Sequence, residues 1–206
     1  MDPTVIPPDA LVLLDYFGIA VFAISGALVA AERKLDFVTF VFFAVVTGVG
    51  GGTVRDLLIG APVFWVNVNA TLLICIGAAL LTWMVPSRWI TGRALLWFDS
   101  AGMAAYAVYG ASKALTYGIA PVPAFGMGVL TACAGGIIRD VIAREPSILL
   151  RREIYITPAA LASALYVGLT VAGVTGLLVA SVAALAGFTL RGLAIVRGWS
   201  LPVYNR

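Results

Sequence analysis

At 206 residues the chain is 62% hydrophobic and only 11% charged, a composition that excludes an ordinary soluble domain and describes an integral membrane protein. It has no histidine, which removes the commonest general base and the commonest metal ligand, so neither an enzymatic activity nor a cofactor is expected. A formal charge of +3 is too slight an imbalance to argue for a nucleic-acid partner, and topology accounts better for the basic residues.

In chain order, the N-terminal "MDPTVIPPDA" carries acids and prolines where a signal peptide carries a basic region, so the first apolar span is expected to stay in the protein. A membrane crossing needs roughly 20 apolar residues. Such spans are read at about Ala10 to Ala31, Phe37 to Gly60, Phe64 to Val85, Leu95 to Thr116, Val122 to Ala143, Ile154 to Gly173 and Val174 to Leu193. The expected fold is therefore an all-α integral membrane protein of seven transmembrane helices, a single transmembrane domain over residues 1–206. Cys75 and Cys133 fall inside spans and read as small apolar fillers, not as a disulfide.

The basic residues set the orientation. With the N-terminus outside, Arg33, Lys34, Arg88, Arg93, Arg144, Arg151, Arg152, Arg191, Arg197 and Arg206 all fall on cytoplasmic connections or the tail, and the external connections carry none. The expected location is a prokaryotic plasma (inner) membrane with the C-terminus in the cytoplasm. Arg55, Lys113 and Arg139 are left inside spans.

A shift of 84 positions carries Asp15 onto Asp99, Gly18 onto Gly102, Gly26 onto Gly110 and Thr47 onto Thr131 without a gap. It also carries "GGTVRD" (Gly51–Asp56) onto "GGIIRD" (Gly135–Asp140). Each copy holds three spans, an odd number, so the second copy enters the membrane from the opposite side. The expectation is two inverted three-helix repeats, about 11–86 and 95–173, followed by a seventh helix at about 174–196 outside the repeat.

The stretch "GVGGGTVRD" has two glycines at dinucleotide-loop spacing, Gly48 and Gly50, but Thr53 replaces the last glycine, no lysine follows and no strand precedes it. A phosphate loop is excluded. Gly48, Gly50, Gly51 and Gly52, with Gly135 and Gly136, are expected to bend helices two and five beside a polar pathway, because freed backbone groups in lipid need a cavity or protein to satisfy them. Close helix packing is the alternative, since small residues let backbones approach. Thr47, Thr131, Ser25 and Tyr109 are candidates to line the path.

Charges inside a bilayer usually face one another or a cavity. Depth along antiparallel spans pairs Asp15 with Arg55 and Asp99 with Arg139, with Asp56 and Asp140 as neighbouring competitors; the pairs either shape a pathway or only hold the repeats together. Lys113 has Val29 as its repeat counterpart, so it either snorkels to the external surface or acts in gating.

The doubled "GG-x-x-RD" element, the inverted repeat and the seven spans resemble the TRIC family of trimeric intracellular cation channels in its prokaryotic branch, over roughly Leu11 to Arg197. The resemblance implies a homotrimer in the lipid bilayer with one pore per subunit, conduction of monovalent cations, chiefly potassium, and a gating role for Lys113. Animal members bind an inositol lipid near a lysine-glutamate-valine sequence, where this chain has "GVGGGTV". Inverted repeats with broken helices fit a secondary transporter of a small solute, such as an amino acid, equally well on physical grounds.

Overall fold

A computed structural model describes residues 8–86, 90, 92–146 and 154–202. Among them are seven α-helices: α1 (Pro8–Glu32), α2 (Phe37–Leu58), α3 (Asn69–Met84), α4 (Gly92–Thr116), α5 (Pro121–Ile142), α6 (Ile156–Val171) and α7 (Leu177–Arg197). The expected all-α membrane fold is therefore present. Repeat-related helices match in length: α1 and α4 have 25 residues each, α2 and α5 have 22, and α3 and α6 have 16.

The helix ends repeat too. The chain leaves α1 through Lys34 and α4 through Gly118, at φ 53° and 75°, and leaves α2 through Gly60 and α5 through Arg144, at φ 69° and 53°. These are left-handed terminations of the kind that satisfy the last helical carbonyls. Lys34 and Arg144 hold them without being glycine, a cost of about 1 kcal/mol or more each. At the start of α2, Asp36 accepts the Thr39 amide at 3.0 Å and its hydroxyl at 2.7 Å. Those two bonds hold the exposed Asp36 carboxyl below its usual pKa. The cap therefore contributes above the ordinary carboxylate range and fades as pH falls through the lowered value.

The third and sixth spans are shorter than the sequence reading. Sixteen residues rise only about 24 Å against roughly 30 Å of hydrocarbon. The stretch before α3 is drawn into a turn because Asp56 accepts the Phe64 amide at 3.0 Å, so helix begins at Asn69 and not near Phe64. Small residues build the core: Ala23, Ala27, Ala44, Ala104, Ala107 and Ala111 are all buried. Large apolar side chains such as Leu13, Phe17, Val38, Leu73, Leu81 and Leu178 point outward. This inversion of the soluble pattern suits lipid, which is as apolar as leucine and rewards close backbone packing instead.

The same inverted symmetry governs the packing. α1 contacts α2 and α3 as α4 contacts α5 and α6, while α2 crosses α5 and α1 meets α4 at the centre. A β-carbon at Gly18 would meet the Tyr106 ring, and one at Gly102 the Phe22 ring, and those rings lie 5.4 Å apart. Gly26 faces Thr47 as Gly110 faces Thr131. α7 stands outside the repeat against α4 and α6, with Trp97 and Phe188 rings 5.9 Å apart.

Candidate functional site

The glycines act at the α2–α5 crossing. A β-carbon on Gly51 would collide with the Thr131 carbonyl oxygen, and one on Gly135 would sit 2.5 Å from the Thr47 carbonyl oxygen. Gly52 packs under the Phe64 ring, Gly48 against Ile19 and Cys75, and Gly50 against Ile138. Both helices continue as α-helix through these residues. Unbroken helix corrects the expectation that carbonyls are freed at these glycines: the backbone bonds persist, and the missing side chains let two helices touch. Thr47 and Thr131 are buried at this crossing; the Thr131 hydroxyl donates to the Met127 carbonyl at 2.6 Å, whereas Thr47 Oγ1 has no hydrogen-bond partner among the described residues.

Two clusters of buried charge flank the crossing. In the second repeat, Arg139 donates through Nη1 to Asp99 Oδ1 at 2.9 Å and to Ser25 Oγ at 3.0 Å, and through Nε to Asp140 Oδ1 at 2.9 Å. Its Nη2 is also 2.8 Å from Asp140. The expected pairing of Asp99 with Arg139 is present, and the competitor Asp140 shares it.

The first repeat differs. Arg55 pairs with its neighbour Asp56 at 2.7 Å, and Lys113 reaches the same carboxylate at 2.8 Å. The expected Asp15–Arg55 pair does not form. Asp15 lies within electrostatic range of Arg55, Lys113, Tyr106 and Tyr109, yet its Oδ1 has no hydrogen-bond partner among the described residues and only 8% of the residue is exposed. The reason is reach: Asp56 sits one residue from Arg55 and gathers Lys113 and the Phe64 amide, so it outcompetes a carboxylate on another helix. Lys113 is thus an ion-pair partner, with 16% of its side chain still exposed.

Ser25 and Tyr109 are repeat counterparts with matching duties. Ser25 hydrogen-bonds the second repeat's arginine, and the Tyr109 ring lies 5.0 Å from the Arg55 guanidinium carbon. Desolvated cation–aromatic contacts of this kind contribute on the order of 2 kcal/mol. Phe64 adds a face 5.9 Å from the same guanidinium. Between the clusters the interior is packed by Phe22, Tyr106 and the glycine crossing.

From the face bearing the α1–α2 turn, a cavity of about 330 Å³ leads to Arg139 and Asp140, lined also by Val29, Glu32, Arg33, Gly92, Leu95, Leu96 and Glu145. Arg33 and Glu145 form an ion pair of 2.7 Å at its rim. Several participants escape sequence reasoning. Tyr106, Phe64 and Tyr155 carry no motif, although Tyr106 is the repeat mate of Phe22. Arg191, expected on the cytoplasmic tail, is buried on α7; its Nη1 donates to the Ile154 carbonyl at 2.8 Å and its guanidinium lies over the Tyr155 ring. Arg88, Arg151, Arg152 and Arg206 lie outside the described residues.

Comparison with known proteins accords with this geometry. The profile of a family described as "Glycine transporter" matches twice, over residues 12–87 and 96–171. A UPF0126 membrane protein of Vibrio cholerae is 41% identical over 160 residues, which is 75% of this chain and 66% of that protein. The UPF0126 inner membrane protein YadS of Escherichia coli is 40% identical over 70% of this chain and 71% of its own length. Among solved structures, the TRIC cation channel orthologue of Rhodobacter sphaeroides superposes with a TM-score of 0.85 at 44% identity, covering 92% of this chain and 99% of that one. A prokaryotic TRIC channel crystallised in 0.5 M KCl gives 0.85 at 30% identity, over 94% and 99% of the two chains. These relatives are membrane proteins and channels, not enzymes. With the helical architecture shared and the family profile matching once on each repeat, the chain belongs to the UPF0126 and TRIC family of membrane proteins, in its prokaryotic branch.

Proposed function

We propose that the protein is a homotrimeric channel for monovalent cations, chiefly potassium, with one pore in each subunit between α1, α2, α4 and α5. The observation that carries the reading is the pair of buried charge clusters, Asp56 with Arg55 and Lys113 on one side of the glycine crossing and Asp99, Arg139 and Asp140 on the other. Buried ionisable groups in a membrane are expensive and mark ion pathways. The packed centre makes this a closed state. Lys113, partly exposed and held by one carboxylate, is the movable barrier: released from Asp56, it shifts positive charge along the path. A full crossing of the membrane field is worth about 2.3 kcal/mol per 100 mV, and a side-chain swing covers only part of it, so voltage dependence is shallow. The basic residues support placing the cavity beside Arg33 and Glu145 on the cytoplasmic face.

A second reading, a carrier for glycine, is supported by the description of the matched family and by the inverted repeat. One experiment separates the two. Purified protein in planar bilayers carries potassium current, and Lys113→Gln raises that current or flattens its voltage dependence. Absence of current, together with accumulation of labelled glycine against its gradient in proteoliposomes, replaces the channel with the carrier.

A further inference from the structure

The two charge clusters are related by the repeat, yet they do not balance alike. The first sets two carboxylates, Asp15 and Asp56, beside two bases, Arg55 and Lys113. The second sets Asp99 and Asp140 beside Arg139 alone, because Val29 stands where the repeat would place a second lysine. One negative charge is left over. Arg191 is the charged residue among the described buried ones that belongs to neither cluster, and only 1% of it is exposed. It comes from α7, the helix outside the repeat.

Its seat lies one aromatic ring from Asp99. The Arg191 guanidinium carbon is 5.4 Å from the centre of the Tyr155 ring, and its Nη1 donates to the Ile154 carbonyl at 2.8 Å, so one side chain grips the start of α6 through both ring and backbone. The Tyr155 hydroxyl and Asp99 Oδ1 fill the space above Gly136, 3.0 and 3.1 Å from where its β-carbon would stand. The first repeat is built the same way. There the Phe64 ring fills the space above Gly52, with the Arg55 guanidinium carbon 5.9 Å and the Lys113 ammonium 5.8 Å from its centre. In each repeat an aromatic side chain ahead of the third helix covers the glycine, and a base from outside the Gly-Gly-x-x-Arg-Asp element lies against its face.

We infer that Arg191 is the second cluster's counterpart of Lys113, a positioning residue that supplies the missing positive charge from outside the repeat and holds Tyr155 against Asp99. Uncompensated charge in a membrane interior is costly, and Coulomb attraction in a medium of low dielectric acts across the width of a ring. With Arg191 counted, four carboxylates face four bases. The consequence rests on the channel reading: both sides of the glycine crossing present a permeating cation with no excess charge. α7 thereby takes part in the electrostatics of the path from its place against α4 and α6.

The test follows thermal unfolding of the detergent-solubilised full chain and needs no flux, so its failure is distinguishable from failure of the channel reading, which the bilayer current decides. Arg191→Met should lower the midpoint by roughly 5 to 10 °C. Arg191→Lys, which keeps the charge, should recover most of that loss. Asp99→Asn should destabilise the wild type, yet added to Arg191→Met it should raise the midpoint, because Arg139 and Asp140 then balance. Asp15→Asn, in the other cluster, should add its loss to that of Arg191→Met. A side chain that only grips the Ile154 carbonyl gives additive losses with Asp99→Asn and no preference for lysine over methionine. Either result overturns the assignment, as does coupling to Asp15 as strong as to Asp99. If Arg191→Met yields no folded protein, its recovery by the added Asp99→Asn supports the assignment and continued failure overturns it.

Discussion

Arg139 shows how much one side chain holds in place. It is 1% exposed and ties α5 to α4 through Asp99 and to α1 through Ser25, with Asp140 alongside. Truncating a buried ion-pair partner leaves charge without compensation and typically costs about 3 to 5 kcal/mol. Arg139→Ala should therefore lower stability by about that amount in equilibrium unfolding in mixed micelles. Asp99→Asn combined with Arg139→Gln should recover part of the loss, because fewer buried charges are then left alone. Strictly additive losses would show that the two side chains do not act as a pair. Asp99 and Arg139 are legible in the sequence because both recur in the repeat. Ser25 is visible there only as a polar residue in a span; its arginine, 114 positions away, is a fact of packing.

At the scale of the helix, the glycines divide into two kinds. Gly51 and Gly135 stand at the α2–α5 crossing, each facing a backbone carbonyl of the other helix, so nothing flexible can yield to a side chain. Gly126, on α5, and Gly77, on α3, have no described atom of a neighbouring element within 4 Å of a β-carbon. Gly51→Ala or Gly135→Ala should push the helices apart and lower stability. Gly126→Ala and Gly77→Ala should be neutral or stabilising by up to about 1 kcal/mol, the usual gain of alanine over glycine inside a helix. Unfolding midpoints of the four alanine variants check this, and equal behaviour of Gly51 and Gly126 would refute the crossing. Sequence alone leaves bend and contact open for these glycines, since both need the same small residue.

For the whole molecule, the inverted repeat makes the two membrane faces geometrically alike and leaves orientation to the loops. Lys34 and Tyr117 follow equivalent helices, α1 and α4, on opposite faces. From the bias of basic residues we propose that Lys34 lies inside. A thiol at Lys34→Cys should react with an impermeant reagent only from the cytoplasmic side and one at Tyr117→Cys only from outside. The native Cys75 and Cys133 are buried and give little background. The reverse pattern would invert the topology and with it the face from which the Arg139 cavity opens.

Hydrophobicity and periodic recurrence are properties of the chain as written, so the seven helices, their inverted pairing and the recurrence of the buried aspartates and arginines in both repeats follow from the sequence itself. Partner choice does not. Asp15 and Asp99 occupy the same register position, yet Asp99 reaches its arginine and Asp15 does not, because Lys113 and the Phe64 amide converge on Asp56 and hold Arg55's neighbour in place. Whether glycines break a helix or join two is decided in the same way, by where the Thr47 and Thr131 carbonyls come to lie. Coulomb energy and steric contact change over an ångström or two, and distances on that scale between residues far apart in the chain exist only once the helices have packed.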